Sequence, residues 1–284
     1  MKKSLFFIIV LASSLVARAQ DVSSLYIGLD AQNVAGVSVA KAANAYSAEN
    51  NASAISFAET NYSFSAGYGM WAPSNSNSNI IGLGGFARIG SKLGVGLFGR
   101  KITDSQGVVV TNQNSVSSGT YYPSDMVLGL GASYAITENL SAGVSAKILS
   151  CSLAPDYKYS GFFADISATY VKDALRAGIA LSNLFSALSA RVGASYTIAG
   201  LTPSLELVVP TAGGFAAAGS VEYGIMDMAF VRAGYHYGSG AAVLPSYASA
   251  GVGFKFAGVS LDFAYLLASD TIGGSMLFNL GYAF

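Results

Sequence analysis

A chain of 284 residues in which 52% are hydrophobic and only 11% charged carries less than half the charge of an ordinary soluble domain, about 25%, which argues against a solvated globular enzyme. Fifteen basic residues balance fifteen acidic ones, so no basic face for nucleic acid is indicated. One cysteine, Cys151, excludes an internal disulfide, and together with one histidine, His236, it leaves any metal ion to carboxylates alone.

Lys2 and Lys3 precede an apolar run from Leu5 to Val16, and Ala17-Arg18-Ala19 before Gln20 fits the small-x-small cleavage pattern of a secretory signal. The run is too short for a helical span, which needs roughly 20 apolar residues. Residues 1–19 therefore read as an export signal. Without Lys2, Lys3 and Arg18 the balance is 12 basic to 15 acidic residues, a net of −3. Residues 20–60 are rich in Ala, Ser and Asn, as in Asn50-Asn51-Ala52-Ser53, and are too polar to face lipid.

From residue 61 onward the chain changes character. Fourteen strand-like runs follow, at 61–71, 79–89, 92–103, 124–136, 139–150, 159–171, 174–184, 188–198, 201–209, 215–225, 228–238, 247–256, 258–268 and 274–284. Each is about ten residues long, the length of a tilted strand crossing a bilayer. The last is the plainest, with Met276, Phe278, Leu280, Tyr282 and Phe284 at every second position, a strand period. If the large apolar residues face outward, then Arg88, Arg100, Lys147, Asp165, Arg176, Arg191, Glu206, Glu222, Arg232, Lys255 and Asp262 all face inward. A soluble sandwich would place its charges the other way, on the outer faces. Only Lys101 would point outward, near a strand end where its stem reaches the head groups.

The connections alternate too. Gly90-Ser91, Thr137-Glu138, Lys172-Asp173, Ala199-Gly200, Met226-Asp227 and Ala257 make tight links, whereas Ala72–Ser78, Asp104–Pro123, Cys151–Lys158, Ser239–Ser246 and Ser269–Gly273 are longer and polar. Short turns on one side and long loops on the other are the habit of bacterial outer-membrane barrels. Phe185–Ala187 departs from it, as a low point in the rim or a misplaced strand boundary. The fold class is all-β, a single fourteen-stranded antiparallel outer-membrane barrel over residues 61–284. An even strand count puts both termini on the periplasmic side, unless the N-terminus enters the lumen. Tyr62, Trp71, Tyr121, Tyr122, Tyr159, Tyr170, Tyr237, Tyr247 and Phe284 lie near strand ends, where interfacial girdles form.

For residues 20–60 three fates are open: a periplasmic tail, a lid under the barrel, or a plug inside it. The plug explains most, because fourteen strands enclose a bore that side chains alone do not fill. Asp30-Ala31, Gly36, Val39-Ala40, Asn44-Ala45 and Asn51-Ala52 resemble the N-terminal pattern of the PorV/PorQ group, relatives of the FadL long-chain fatty-acid transporters. The Pro of that group's N-P-A motif, its arginine and its G-M-G run have no counterpart here. The resemblance implies a fourteen-stranded barrel with its N-terminal segment in the lumen, and Asp30, Gly36, Asn44 and Asn51 as plug positions. In the PorV branch it implies a shuttle of the Bacteroidetes type IX secretion system. In the FadL branch it implies passage of hydrophobic molecules.

Enzymatic chemistry has little support. His236 lies between Tyr235 and Tyr237 with no sequence-evident triad, and reads as a lumen hydrogen-bonding residue. Gly82-Leu83-Gly84-Gly85 and Gly129-Leu130-Gly131 lie inside strands with no helix after them, so they cannot cradle phosphate and read as curvature or close packing against a plug. No cofactor is expected. The inward charges read as paired with one another or with the plug, or as a polar path for a substrate. The expected partners are outer-membrane lipid and exported proteins or secretion-machinery subunits, met by loop residues such as Tyr121, Tyr122 and Tyr157. The alternative partner is a hydrophobic ligand, and a barrel without cargo is a third reading.

Overall fold

A computed structural model describes residues 25, 27–75, 78–111, 117–185 and 188–284; the export-signal reading of residues 1–19 lies outside them. Strands β1 (Tyr62–Trp71), β2 (Ser78–Ile89) and β3 (Leu93–Asp104) are followed by the short β4 (Val108–Thr111) and β5 (Ser117–Tyr121). Then come β6 (Ser124–Ala135), β7 (Leu140–Ala154), β8 (Tyr157–Lys172), β9 (Leu175–Leu184), β10 (Ser189–Tyr196) and β11 (Leu201–Pro210). The last five are β12 (Phe215–Ile225), β13 (Ala229–Ser239), β14 (Tyr247–Phe256), β15 (Val259–Leu267) and β16 (Met276–Ala283). All but β4 and β5 form one closed antiparallel barrel of fourteen strands. β1 pairs with β16 from Ser63 opposite Ala283 to Met70 opposite Met276, which removes the sheet edge.

The alternation that makes these residues strands also sorts them between two solvents. Leu205 is 68% exposed while its neighbour Glu206 is 2% exposed, and the same step separates Val231 from Arg232 and Leu261 from Asp262. Each large apolar side chain moved out of water contributes about 1.5–3 kcal/mol. Around the barrel that term is satisfied by hydrocarbon, because among the described residues no second layer covers the outer face. The tight turns are built for the twist of the hairpins: both central residues of Ala199-Gly200, Met226-Asp227 and Ala257-Gly258 have positive φ, as two-residue hairpin turns of the primed types require.

Two connections differ from the sequence reading. Residues 151–158 are not a loop: β7 runs to Ala154 and β8 starts at Tyr157, leaving Pro155-Asp156 as the turn. Residues 104–123 contain the β4–β5 hairpin, paired from Val108 opposite Tyr121. At the end of β9, β8 pairs with β9 only as far as Ala164 opposite Leu184, across a register shift, and β10 begins at Ser189 opposite Ser182. Asn183 and Phe185 there have φ of 58° and 81°, left-handed backbone that ends the ladder. Tyr157 to Phe163 therefore rise beyond their last β9 partner, and the rim is low at β9 and β10. Three expected girdle residues also lie elsewhere: Trp71 and Tyr247 are on the inward phase and buried, and Tyr159, opposite buried Cys151, is inward and packed against Phe163 and its neighbours. Tyr62, Tyr170, Tyr237 and Phe284 are outward and exposed, with Tyr62 stacked on Phe284 at 5.0 Å between centroids.

Residues 29–58 run against the inner faces of these strands as short turns, with 3-10 segments at Val34–Gly36 and Ala52–Phe57 and a single helical turn at Ser47–Asn50. Ala31, Val37, Val39, Ala48 and Ile55 are fully buried. The approach is close enough to demand glycine from the wall: a Cβ on Gly178 would overlap the Val39 carbonyl, and one on Gly143 would overlap the backbone of Ser53. Gly84 and Gly131 meet Ala45 and Ala48 in the same way. We expect Gly143→Val and Gly178→Val to leave a folded barrel, seen as heat-modifiable migration on a gel, but to make residues 29–58 cleavable by protease. Wild-type resistance in both variants would contradict the contact.

Candidate functional site

The lumen gathers the chain's polar chemistry. The segment is tied to the wall around its circumference, starting with the Ala31 amide, which donates to Asn279 Oδ1 at 2.6 Å, and the Ala35 amide, which donates to Ser249 Oγ at 2.8 Å. The amides of Ser38 and Val39 both donate to Glu206 Oε2, at 2.6 and 2.8 Å. Asn51 donates to Thr169 Oγ1 at 2.9 Å and to the Val39 carbonyl at 2.6 Å. Ser56 donates to Ser133 Oγ at 2.8 Å. Irregular backbone has no ladder of its own, so these side chains supply the partners that buried amides need.

The inward charges are joined in pairs. Arg191 binds Glu206 Oε1 through Nε and Nη2, at 2.9 and 2.7 Å, and also donates to the Asn50 carbonyl and to Ser38 Oγ. Lys147 Nζ lies 2.9 Å from Asp165, whose other oxygen accepts the Asn183 amide at 2.7 Å. Arg232 bridges Glu222 at 2.5 Å and Asp262 at 2.7 Å, and Asp262 in turn accepts Gln32 Nε2 at 2.8 Å. Arg100 pairs with Glu49 of the segment. Removing one member of such a buried pair typically costs about 3–5 kcal/mol, because the other is left uncompensated.

The remaining residues singled out from sequence fall in several places. Arg88 donates to Asn61 at 3.2 Å, and half-buried Arg176 feels the Glu59 carboxylate. Lys255 does not join the lumen pairs: it is exposed at the end of β14, beside the Ala257-Gly258 turn. His236 Nδ1 donates to the Ala35 carbonyl at 3.1 Å, and its ring stacks on Tyr247 at 4.9 Å. Gly36, at φ 74°, fits beneath both rings. Asn44 donates to Asp30 at 2.7 Å and accepts the Tyr46 amide at 3.0 Å. Tyr121 meets Ser152 Oγ at 2.5 Å, while Tyr122 and Tyr157 are exposed. Sequence reasoning missed Gln32, Glu49, Asn50 and Asn279. Of these only Asn279 carried a signal, as a polar residue on the inward phase of the last strand.

Above the segment, at the loop end, a cavity of about 190 Å³ remains. Trp71, Leu244, Tyr247, Ala264, Leu266 and Leu277 give it an apolar side, and Lys147, Asp165, Asn183, Ser189, Arg191 and Glu206 a polar one. Asp30, Val34 and Ala35 of the segment also line it.

Asp30 is where the segment's own network converges. Its carboxylate accepts the Gln32 amide at 3.0 Å, Asn44 Nδ2 at 2.7 Å and Asn50 Nδ2 at 3.2 Å. Burial raises its pKa from 3.8 to about 6, against the Asn44 hydrogen bond, with Asp262 adding to the rise and Arg232 opposing it. A raised carboxyl binds its proton more tightly when docked, so its contribution is complete below 3.8 and is lost as pH climbs through about 6. Hydrogen exchange at residues 29–51, corrected for intrinsic rates, should show protection falling by up to about a hundredfold across that window. Asp30→Asn should flatten the profile, and an unchanged profile would remove Asp30 as its source.

The sequence matches no protein-family model and no curated protein. Among solved structures it is similar to the toluene transporter TbuX of Ralstonia pickettii, at 13% identity over 93% of this chain and 100% of that one, with a TM-score of 0.66. The Pseudomonas putida toluene transporter TodX is 13% identical over 90% of this chain and 96% of its own, with a TM-score of 0.60. A FadL homologue of Pseudomonas aeruginosa is 12% identical over 90% and 98%, with a TM-score of 0.59. Identities this low carry the fold alone: the chain folds as a FadL-like fourteen-stranded barrel of the Gram-negative outer-membrane kind.

Proposed function

We propose that this protein is a non-enzymatic outer-membrane barrel that passes a small, largely hydrophobic molecule, with the long loops outside the cell and the short turns in the periplasm. The observation that carries this reading is the half-apolar cavity at the loop end, bounded by the side chains of Trp71, Leu266 and Leu277. Its volume, about 190 Å³, suits one ring, since a dry apolar cavity of about 150 Å³ accepts benzene. The fold shared with toluene transporters supports the same reading. Residues 29–58 act as a plug in it, and the paired charges hold the plug across the bore. The cavity also reaches Asn183 and Ser189 beside the low rim at β9 and β10.

The test is uptake. Cells lacking the gene should take up labelled toluene or a long-chain fatty acid several-fold more slowly than complemented cells. Ala264→Phe, which fills the apolar side of the cavity, should reproduce the deletion while the barrel still assembles. Equal uptake of both probes in all strains would end this reading.

A second reading, type IX export of the PorV/PorQ kind, keeps one structural support. The β4–β5 hairpin and the tall β7–β8 hairpin present Val108, Val109, Tyr122 and Tyr157 to the outside, all more than half exposed. If it holds, gene deletion should strip surface-anchored proteins from the cell; a normal surface proteome would dismiss it.

A further inference from the structure

We infer that the loop-end cavity binds a small molecule with an apolar body and a hydrogen-bond-donating group, an alcohol, phenol or amine, and that Asn183 and Ser189 hold that group. The inference rests on the transport reading and goes past it by fixing the chemistry of the cargo's polar end.

A pure hydrocarbon satisfies only one side of this cavity. On the other side Asn183 Oδ1 and Ser189 Oγ are buried without a hydrogen-bond partner, as is Asn33 Oδ1 of the plug segment, and all three residues line the same cavity. Asn183 is 4% exposed and Ser189 2%. Folded proteins leave few buried polar atoms unpaired, and each that remains calls for a reason.

Local structure explains why these atoms are free. At the register shift between β8 and β9, Asn183 takes a left-handed backbone that Asn tolerates, and Asp165 captures its amide at 2.7 Å. The backbone is thereby satisfied and the side-chain carbonyl is left over. Ser189 lies close by, paired with Ser182, the residue before Asn183, across the β9–β10 ladder. Asn33 caps the Val34–Gly36 turn by position, yet makes no capping hydrogen bond with its side chain.

The unpartnered atoms also select a headgroup. Amide carbonyl oxygens accept only, and a serine hydroxyl does either, so the fitting ligand donates. A carboxylate has no place here, because each cation lining the cavity already has its own carboxylate: Lys147 is held by Asp165, Arg191 by Glu206 and Arg100 by Glu49. An anion would meet those carboxylates without a cation to compensate.

The chain carries one tryptophan, Trp71, and it lines the opposite side of the cavity, so its fluorescence reports occupancy directly. The full protein in lipid nanodiscs would be titrated with cyclohexanol, methylcyclohexane and cyclohexanecarboxylate, in wild type, Ser189→Ala and Asn183→Gly/Ser189→Ala. Glycine keeps the left-handed backbone available. Comparing proteins at one probe cancels lipid partitioning. Cyclohexanol should bind the double variant about tenfold more weakly than wild type, and Ser189→Ala by an intermediate amount. Methylcyclohexane should bind all three within about twofold, since it uses none of these groups.

If cyclohexanol loses nothing in the variants, or cyclohexanecarboxylate binds best, the donor assignment is wrong while a hydrophobic transport site survives. If no probe changes Trp71 emission, the transport reading falls and takes this inference with it. Should the double variant fail to assemble, Ser189→Ala alone decides: a loss of several-fold for cyclohexanol but not methylcyclohexane supports the assignment, and no loss overturns it.

Discussion

Closing fourteen strands on themselves removes every sheet edge, but it leaves a bore wider than strand side chains fill, and most of the structure follows from how that bore is occupied. The occupant is a stretch of the same chain. Residues 29–58 have no regular ladder, so their buried amides need acceptors from elsewhere, and the wall provides Glu206, Asn279, Ser249 and Ser167. Where the wall must yield to backbone instead, it is glycine, as at Gly143 and Gly178. Wall and segment thus specify one another, and neither is satisfied without its partner.

Charge serves that docking. Ions are expensive to bury, and a buried pair often contributes little net stability. What these pairs supply is position. Glu206 takes two consecutive amides with one oxygen while Arg191 grips the other. Arg232 fixes Asp262, which fixes Gln32. A hydrocarbon core of equal volume would let the segment slide, whereas these contacts set its register along the bore.

The wall was legible in the sequence because two solvents act on alternate residues. With lipid on one side and a polar lumen on the other, every second position is constrained, and Leu205 beside Glu206 carries the rule in one step. The same parity, applied to β1, would have turned Trp71 inward, since its phase continues Ser63, Ser65, Gly67 and Gly69. Nearness to a strand end pointed instead to a girdle, and parity was the better guide. Reading failed where lipid stops acting. Ser152 to Ala154 and Tyr157 to Lys158 are strand, but above the membrane no face must be apolar, so their mixed polarity looked like a loop. Contacts across the lumen join residues such as Gln32 and Asp262, 230 positions apart, and no local pattern encodes them.

The cavity's asymmetry comes from the same economy. Its apolar side, with Trp71, Leu266 and Leu277, lies on strands near the barrel seam, where inward positions at the loop end are large and hydrophobic. Its polar side lies where β8 and β9 fall out of register. There, the price of ending the ladder early is a left-handed Asn183 whose backbone must borrow Asp165. The irregularity that lowers the rim therefore also brings an unsatisfied acceptor, Asn183 Oδ1, to the cavity side.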